Sequence, residues 1–89
     1  MKISLCIITL NEETNLPRCL ASSAPLVDEI VIVDSGSTDR TEAIARQYGA
    51  HWVPHQWLGY VRQKNLALSL ASLPWVLSLD ADEALSPRL

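Results

Sequence analysis

Cysteine is scarce in this chain. Cys6 and Cys19 are too few for a disulfide framework, and neither lies in a C-x-x-C or His-rich spacing that would hold zinc. Both read as ordinary buried thiols of a reducing compartment. Runs of Lys or Arg are missing as well, and a formal net charge of -3 with a pI near 5.1 gives no electrostatic footprint for nucleic acid. An anionic partner would need local help from a cation or from backbone amides. No apolar stretch is long enough to span a bilayer. Residues 3–10, ISLCIITL, resemble the core of a signal peptide but lead at once into NEETN with no small-residue cleavage site. The expected location is cytoplasmic. There is no repeat, linker or low-complexity segment.

What is present is the composition of a folding chain, 48% hydrophobic and 19% charged, which argues against disorder. Eighty-nine residues make one small domain or a piece of one, with a thin core. Residues 3–10 form a β-rich apolar run, the mark of a strand covered on both faces. NEETNLPRCLASS follows, in which Asn15 is expected to cap a helix whose first turn tolerates Pro17. DEIVIVD is a second covered strand that ends at Asp34. Asp39 and Glu42 have the spacing of a capping box for the next helix, and Gly49 is placed to end it. AHWVP reads as a short strand, and Pro54 puts it at a sheet edge. Residues 60–71 have helical spacing, and WVLSLD, residues 75–80, is the last strand.

The order is βαβαβαβ, which implies an α/β fold with a parallel sheet, right-handed crossovers and helices on both faces. Ligands of such sheets bind beyond the carboxyl ends of the strands. The polar clusters fall there: TLNEE after strand one, DSGSTD after strand two, DADE after strand four.

The last cluster sets three carboxylates, Asp80, Asp82 and Glu83, within four positions after an apolar strand. Such charges repel unless solvent or a cation intervenes. A solvated strand end would carry them at no further purpose. At a strand end, however, Asp80 and Asp82 can aim oxygens into one crevice, the hard-ligand environment that suits magnesium or manganese. Asp34 can accept hydrogen bonds from a base or sugar hydroxyl, although Ser, Gly and Asp are also what a strand-to-helix turn requires. Asp39 is assigned to that turn. Arg62 and Lys64 open a helix, an unusual place for cations on dipole grounds; a nearby phosphate or a solvated helix face explains them equally. His51 and His55 read as strand-edge residues.

Taken together, SLCIITLNEETNLPRCL, IVIVDSGSTDRT, GYVRQKNLAL and LSLDADE resemble, in order and spacing, the family-2 glycosyltransferases of the GT-A fold. The VDSGSTD, QKN and LDADE variants look most like bacterial lipopolysaccharide-core glucosyltransferases. The resemblance covers the whole chain and the nucleotide-binding half of that fold, a Rossmann-like αβα half with strand order 3-2-1-4. It implies metal-dependent, inverting transfer from a nucleotide-diphosphate sugar, of UDP-glucose type, to a glycan, lipid-linked or lipopolysaccharide acceptor. Thr9, Asn11 and Glu12 would line the nucleotide pocket, and Asp34 would contact uracil or ribose. Lys64 would stand near the nucleotide, where the family usually has Arg, and Ser35 replaces the commoner Asp. Asp80 would face the ribose or a metal-bound water. Asp82 would bind the manganese or magnesium that bridges the diphosphate.

The carboxylate base that inverting transfer needs is expected beyond Leu89, so no residue here is assigned to it, and the chain alone is expected to be inactive. In the longer protein the location would extend to the periphery of the inner membrane. Two rivals stand beside this reading. One is a phosphohydrolase of the haloacid dehalogenase type, with Asp80 as nucleophile, although that fold places its D-x-D after the first strand. The other is a non-catalytic nucleotide- or metal-binding module. An uncovered fourth strand is also expected to promote self-association.

Overall fold

A computed structural model describes residues 2–83. Strand β1 (Ile3–Thr9) leads to helix α1 (Leu16–Ser23), a 3-10 turn (Ala24–Leu26) and β2 (Glu29–Asp34). Helix α2 (Thr41–Gln47), β3 (His51–Pro54), α3 (Tyr60–Leu70) and β4 (Trp75–Ser78) follow. The four strands form one parallel sheet in the order β3-β2-β1-β4. The class is the one the alternation of elements predicts, and the order is the one the family resemblance implies. No helix among the described residues is long and apolar enough to cross a membrane.

Strand periodicity divides the core between two faces. Leu5, Ile7, Ile30 and Ile32 project to one side, where they meet Leu16, Cys19 and Leu20 of α1 and Ala45 of α2. On α1 the buried positions are Leu16, Cys19, Leu20 and Ser23, the i, i+3, i+4, i+7 stripe of an amphipathic helix. Each large aliphatic buried here contributes about 1.5–3 kcal/mol of transfer free energy. The opposite face is thinner: Cys6, Val31 and Val33 pack against Ala67 of α3. Only Gln63 and Ala67 of that helix are buried. Burial pushes the Cys6 and Cys19 thiols up to about 11, with acidic neighbours adding to the effect, so both stay protonated and unreactive at neutral pH.

Three local expectations are corrected. Asn15 precedes α1 but its side chain caps nothing; its amide donates to Glu12 at 3.3 Å. The Asp39 and Glu42 box does not form, because α2 starts one residue later, at Thr41. Asp39 accepts from the Thr41 amide and hydroxyl, while Glu42 pairs with Arg46 at 2.8 Å. Strand β4 stops at Ser78, so Leu79 and Asp80 lie just beyond it, although the Leu79 amide still donates to the Cys6 carbonyl at 3.2 Å. Gly49 does end α2: its amide donates to the Arg46 carbonyl at a φ of 71°, a left-handed conformation that favours glycine. Strand β4 has β1 as its neighbour on one side and leaves Trp75 and Val76 exposed at the sheet edge.

Candidate functional site

Two strand-end loops are tied together over the top of β1 and β2. Asn11 adopts a φ of 52°, a left-handed turn that asparagine tolerates better than most residues. In that turn its amide donates to the Ser37 hydroxyl and its side-chain oxygen accepts from the Thr38 amide, both at 2.8 Å. The Glu12 amide donates to the Thr41 hydroxyl at 2.8 Å, and the Glu13 amide to Asp39 at 3.2 Å. Asp34 is the hub. It is 2% exposed, and its two oxygens accept from the Thr9 hydroxyl, the Gly36 and Ser37 amides and the Ser37 hydroxyl. A buried carboxylate is tolerable only with donors of this number. Asp34 therefore organises the rim formed by the two loops.

A cleft of about 560 Å³ opens beside this rim. Thr9 and Glu12, from the loop after β1, and Asp80 and Asp82, from the segment after β4, line it together. Of the residues singled out in the sequence, these four are thus brought to one cavity, whereas Asn11, Asp34 and Lys64 are not among its lining residues. The lining also includes Asn15, Ser35, Trp57 and Tyr60, none of which the sequence reading assigned to the pocket. Trp57 is 56% and Tyr60 52% exposed. Two large aromatics flanking Gly59 in a polar turn at a strand end were the available signal, since exposed rings are costly without a partner surface. The turn itself is held by Gln63, fully buried, whose side-chain oxygen accepts from the Leu58 amide at 3.1 Å.

The three clustered carboxylates have separate environments. Glu83 turns back so that its carboxylate accepts from the Asp80 amide at 2.7 Å, while its own amide donates to the Asp80 carbonyl at 2.9 Å. Asp80 is paired with the Lys64 ammonium at 2.8 Å and accepts from the Tyr60 hydroxyl at 2.9 and 3.2 Å. These bonds, Lys64 first, outweigh desolvation and hold the Asp80 carboxyl below its ordinary range; the same pair raises Lys64. Asp82 is exposed and has no hydrogen bond or ion pair among the described residues.

This donor set fits a hard divalent cation. Asp82 offers carboxylate oxygens with no partner among the described residues, and Asp80 is already a cation-binding group, with the ammonium as its present counter-ion. Among the described residues no group of three or more metal-type side chains converges. A cation here would keep positions for water and phosphate oxygens, as magnesium and manganese do. Because D-x-D follows β4 at the sheet edge, the phosphohydrolase alternative, which needs it after the first strand, does not match this topology.

Comparison with known proteins agrees with this geometry. A profile described as Glycosyl transferase family 2 matches residues 4–89. An uncharacterized glycosyltransferase of Rickettsia conorii is 52% identical over 88 residues, covering 99% of this chain and 31% of that protein. The lipopolysaccharide core biosynthesis glycosyltransferase LpsC of Rhizobium meliloti is 45% identical over 94 residues, covering 100% of this chain and 34% of that protein. Among solved structures, glucosyl-3-phosphoglycerate synthase of Mycobacterium tuberculosis, crystallised with Mn2+, UDP and glucosyl-3-phosphoglycerate, superposes with a TM-score of 0.76 at 32% identity. It covers 90% of this chain and 33% of that one. The chain thus spans about a third of the length of the relatives it matches. With sequence, strand order and strand-end cleft all in agreement, the chain belongs to glycosyl transferase family 2.

Proposed function

We propose that this chain is the donor-binding part of a transferase that moves a sugar from a UDP-sugar, of UDP-glucose type, to a glycan or lipopolysaccharide acceptor with inversion. The observation that carries this reading is that Asp80 and Asp82 line one cleft together with Thr9 and Glu12. Support comes from relatives: one is named for lipopolysaccharide core biosynthesis, and another was crystallised with UDP and Mn2+.

In this reading the Asp34 hub fixes the two loops so that uracil and ribose meet a preformed rim, with Thr9, Asn11 and Glu12 bounding it. Trp57 and Tyr60 supply apolar faces that exclude water from one side of the donor. Asp80 and Asp82 would hold the manganese or magnesium. When bound, such an ion acts as a Lewis acid that stabilises the charge of the departing diphosphate. Lys64, next to Asp80, adds a second positive charge toward the same group. The acceptor site and the base that removes the acceptor proton are assigned to the portion of the longer relatives that this chain does not span. The reaction would run in the cytoplasm, with the longer protein at the inner face of the membrane.

Calorimetry with UDP in the presence of Mn2+ or of a chelator tests the reading. Saturable binding that needs the metal is expected. Binding of equal strength in the chelator would refute the metal assignment, and no binding by the full-length protein would refute the donor assignment.

A further inference from the structure

Tyr60 and Lys64 lie one turn apart on α3 and converge on a single carboxylate. The Lys64 ammonium is 2.8 Å from Asp80 Oδ1 and 5.0 Å from the centroid of the Tyr60 ring, while the Tyr60 hydroxyl reaches both Asp80 oxygens. A cation therefore already occupies the place beside Asp80, held from one side by charge and from the other by the ring face. Asp82, two residues on, has no hydrogen bond or ion pair among the described residues.

From this arrangement, and resting on the donor-binding reading above, we infer that Lys64 is an exchangeable counter-ion of Asp80: an arriving divalent cation displaces it, and the donor's diphosphate receives it.

A carboxylate has roughly four lone-pair sites, so Asp80 is not sterically closed to a metal ion. The obstacle is charge. A dication coordinated by Asp80 would sit within a few ångströms of the ammonium, and like charges so close repel strongly in a partly buried site. The ammonium can leave only if it finds another anion. Its four-carbon stem is flexible and Tyr60 lines the cleft, so it can swing toward a bound diphosphate without losing the aromatic face. Metal alone then binds against the resident lysine, and nucleotide alone must draw the lysine from Asp80. Bound together, each relieves the other's cost. Linkage requires the coupling to be reciprocal.

The test is Mn2+ binding to the full-length protein, followed by electron paramagnetic resonance of the free ion, with and without UDP. In the unaltered protein UDP should tighten Mn2+ by about tenfold or more. Lys64→Met should bind Mn2+ alone about three- to tenfold more tightly and show a smaller effect of UDP. Tyr60→Phe, which keeps the charge and the ring, should move Mn2+ affinity the same way by about twofold. Arg62→Met removes the same charge from the same helix at an exposed position with no ion pair among the described residues. It should change Mn2+ affinity by less than about twofold. Unchanged or weaker Mn2+ binding in Lys64→Met, or an equal gain in Arg62→Met, overturns the exchange while leaving the donor-binding reading intact. Failure of the unaltered protein to bind Mn2+ even with UDP overturns both.

Discussion

The Thr9 hydroxyl donates to Asp34 Oδ1 at 2.6 Å, joining the ends of β1 and β2, which are register partners in the sheet. The other oxygen of Asp34 takes two backbone amides, those of Gly36 and Ser37. The two sides differ chemically: a hydroxyl can reverse its role, whereas an amide can only donate. Asp34→Asn can keep its oxygen toward the amides and present its NH2 to the hydroxyls of Thr9 and Ser37. It should cost about 1 kcal/mol. Asp34→Ala orphans both amides and should cost about 2–4 kcal/mol. Urea unfolding of the two variants measures the difference; equal losses would show that the carboxylate does not hold the loops.

Asp82→Ala should remove the dependence of UDP binding on Mn2+, because it deletes the one cluster carboxylate with no partner among the described residues. Any residual UDP binding should be the same with Mn2+ and with a chelator. Metal-stimulated binding that survives the substitution would move the ion elsewhere.

Glu29 predicts an acid limb in the stability curve. The Ser72 amide and hydroxyl and then the Ser4 hydroxyl hold its carboxyl well below the ordinary range, down to about 2 from 4.5. These bonds tie the start of β2 across β1 to the turn before β4. Because the folded form binds the proton less readily than the unfolded chain, the stabilisation is fully present above about pH 4.5 and is lost as the pH falls toward about 2. The difference in urea midpoint between the natural chain and Glu29→Gln should therefore be largest near neutral pH and shrink in acid. A difference independent of pH would contradict it.

Residues 1–89 in isolation should self-associate through β4. Trp75 is 59% exposed and Val76 44%, on a strand whose outer edge has no neighbouring strand among the described residues and carries no proline or charge to discourage pairing. Light scattering should show dimers or larger species, and Val76→Lys should weaken them. A monomer at high concentration with slow amide exchange along β4 would refute the contact.

Strand and helix identity was legible because it depends on near neighbours in the chain. ISLCIIT and EIVIVD are too apolar and β-branched to be anything but covered strands, and LPRCLASS carries one helical stripe. The alternation of such segments leaves little choice but a parallel sheet, and that sheet puts its polar clusters at one end. Helix starts were less legible. Asn15 and Asp39 have the right chemistry for caps, but each has other partners: Glu12 for Asn15, and Thr41 with Glu13 for Asp39.

The sequence by itself determined the layered α/β fold, its strand-end crevice and the candidate carboxylates, since periodicity and turn chemistry act over a few residues. Only the tertiary structure decided what each carboxylate does. Asp34 is spent on loop donors, Glu83 on a turn amide and Asp80 on Lys64, while Asp82 has no partner among the described residues. The physical reason is that a carboxylate's role depends on which donors surround it in space. For Asp34 that includes Thr9, 25 positions away in the chain, and for Asp80 it includes a tyrosine 20 positions earlier. No local pattern encodes those distances; they follow from stacking β1 between β2 and β4 and laying α3 across the sheet.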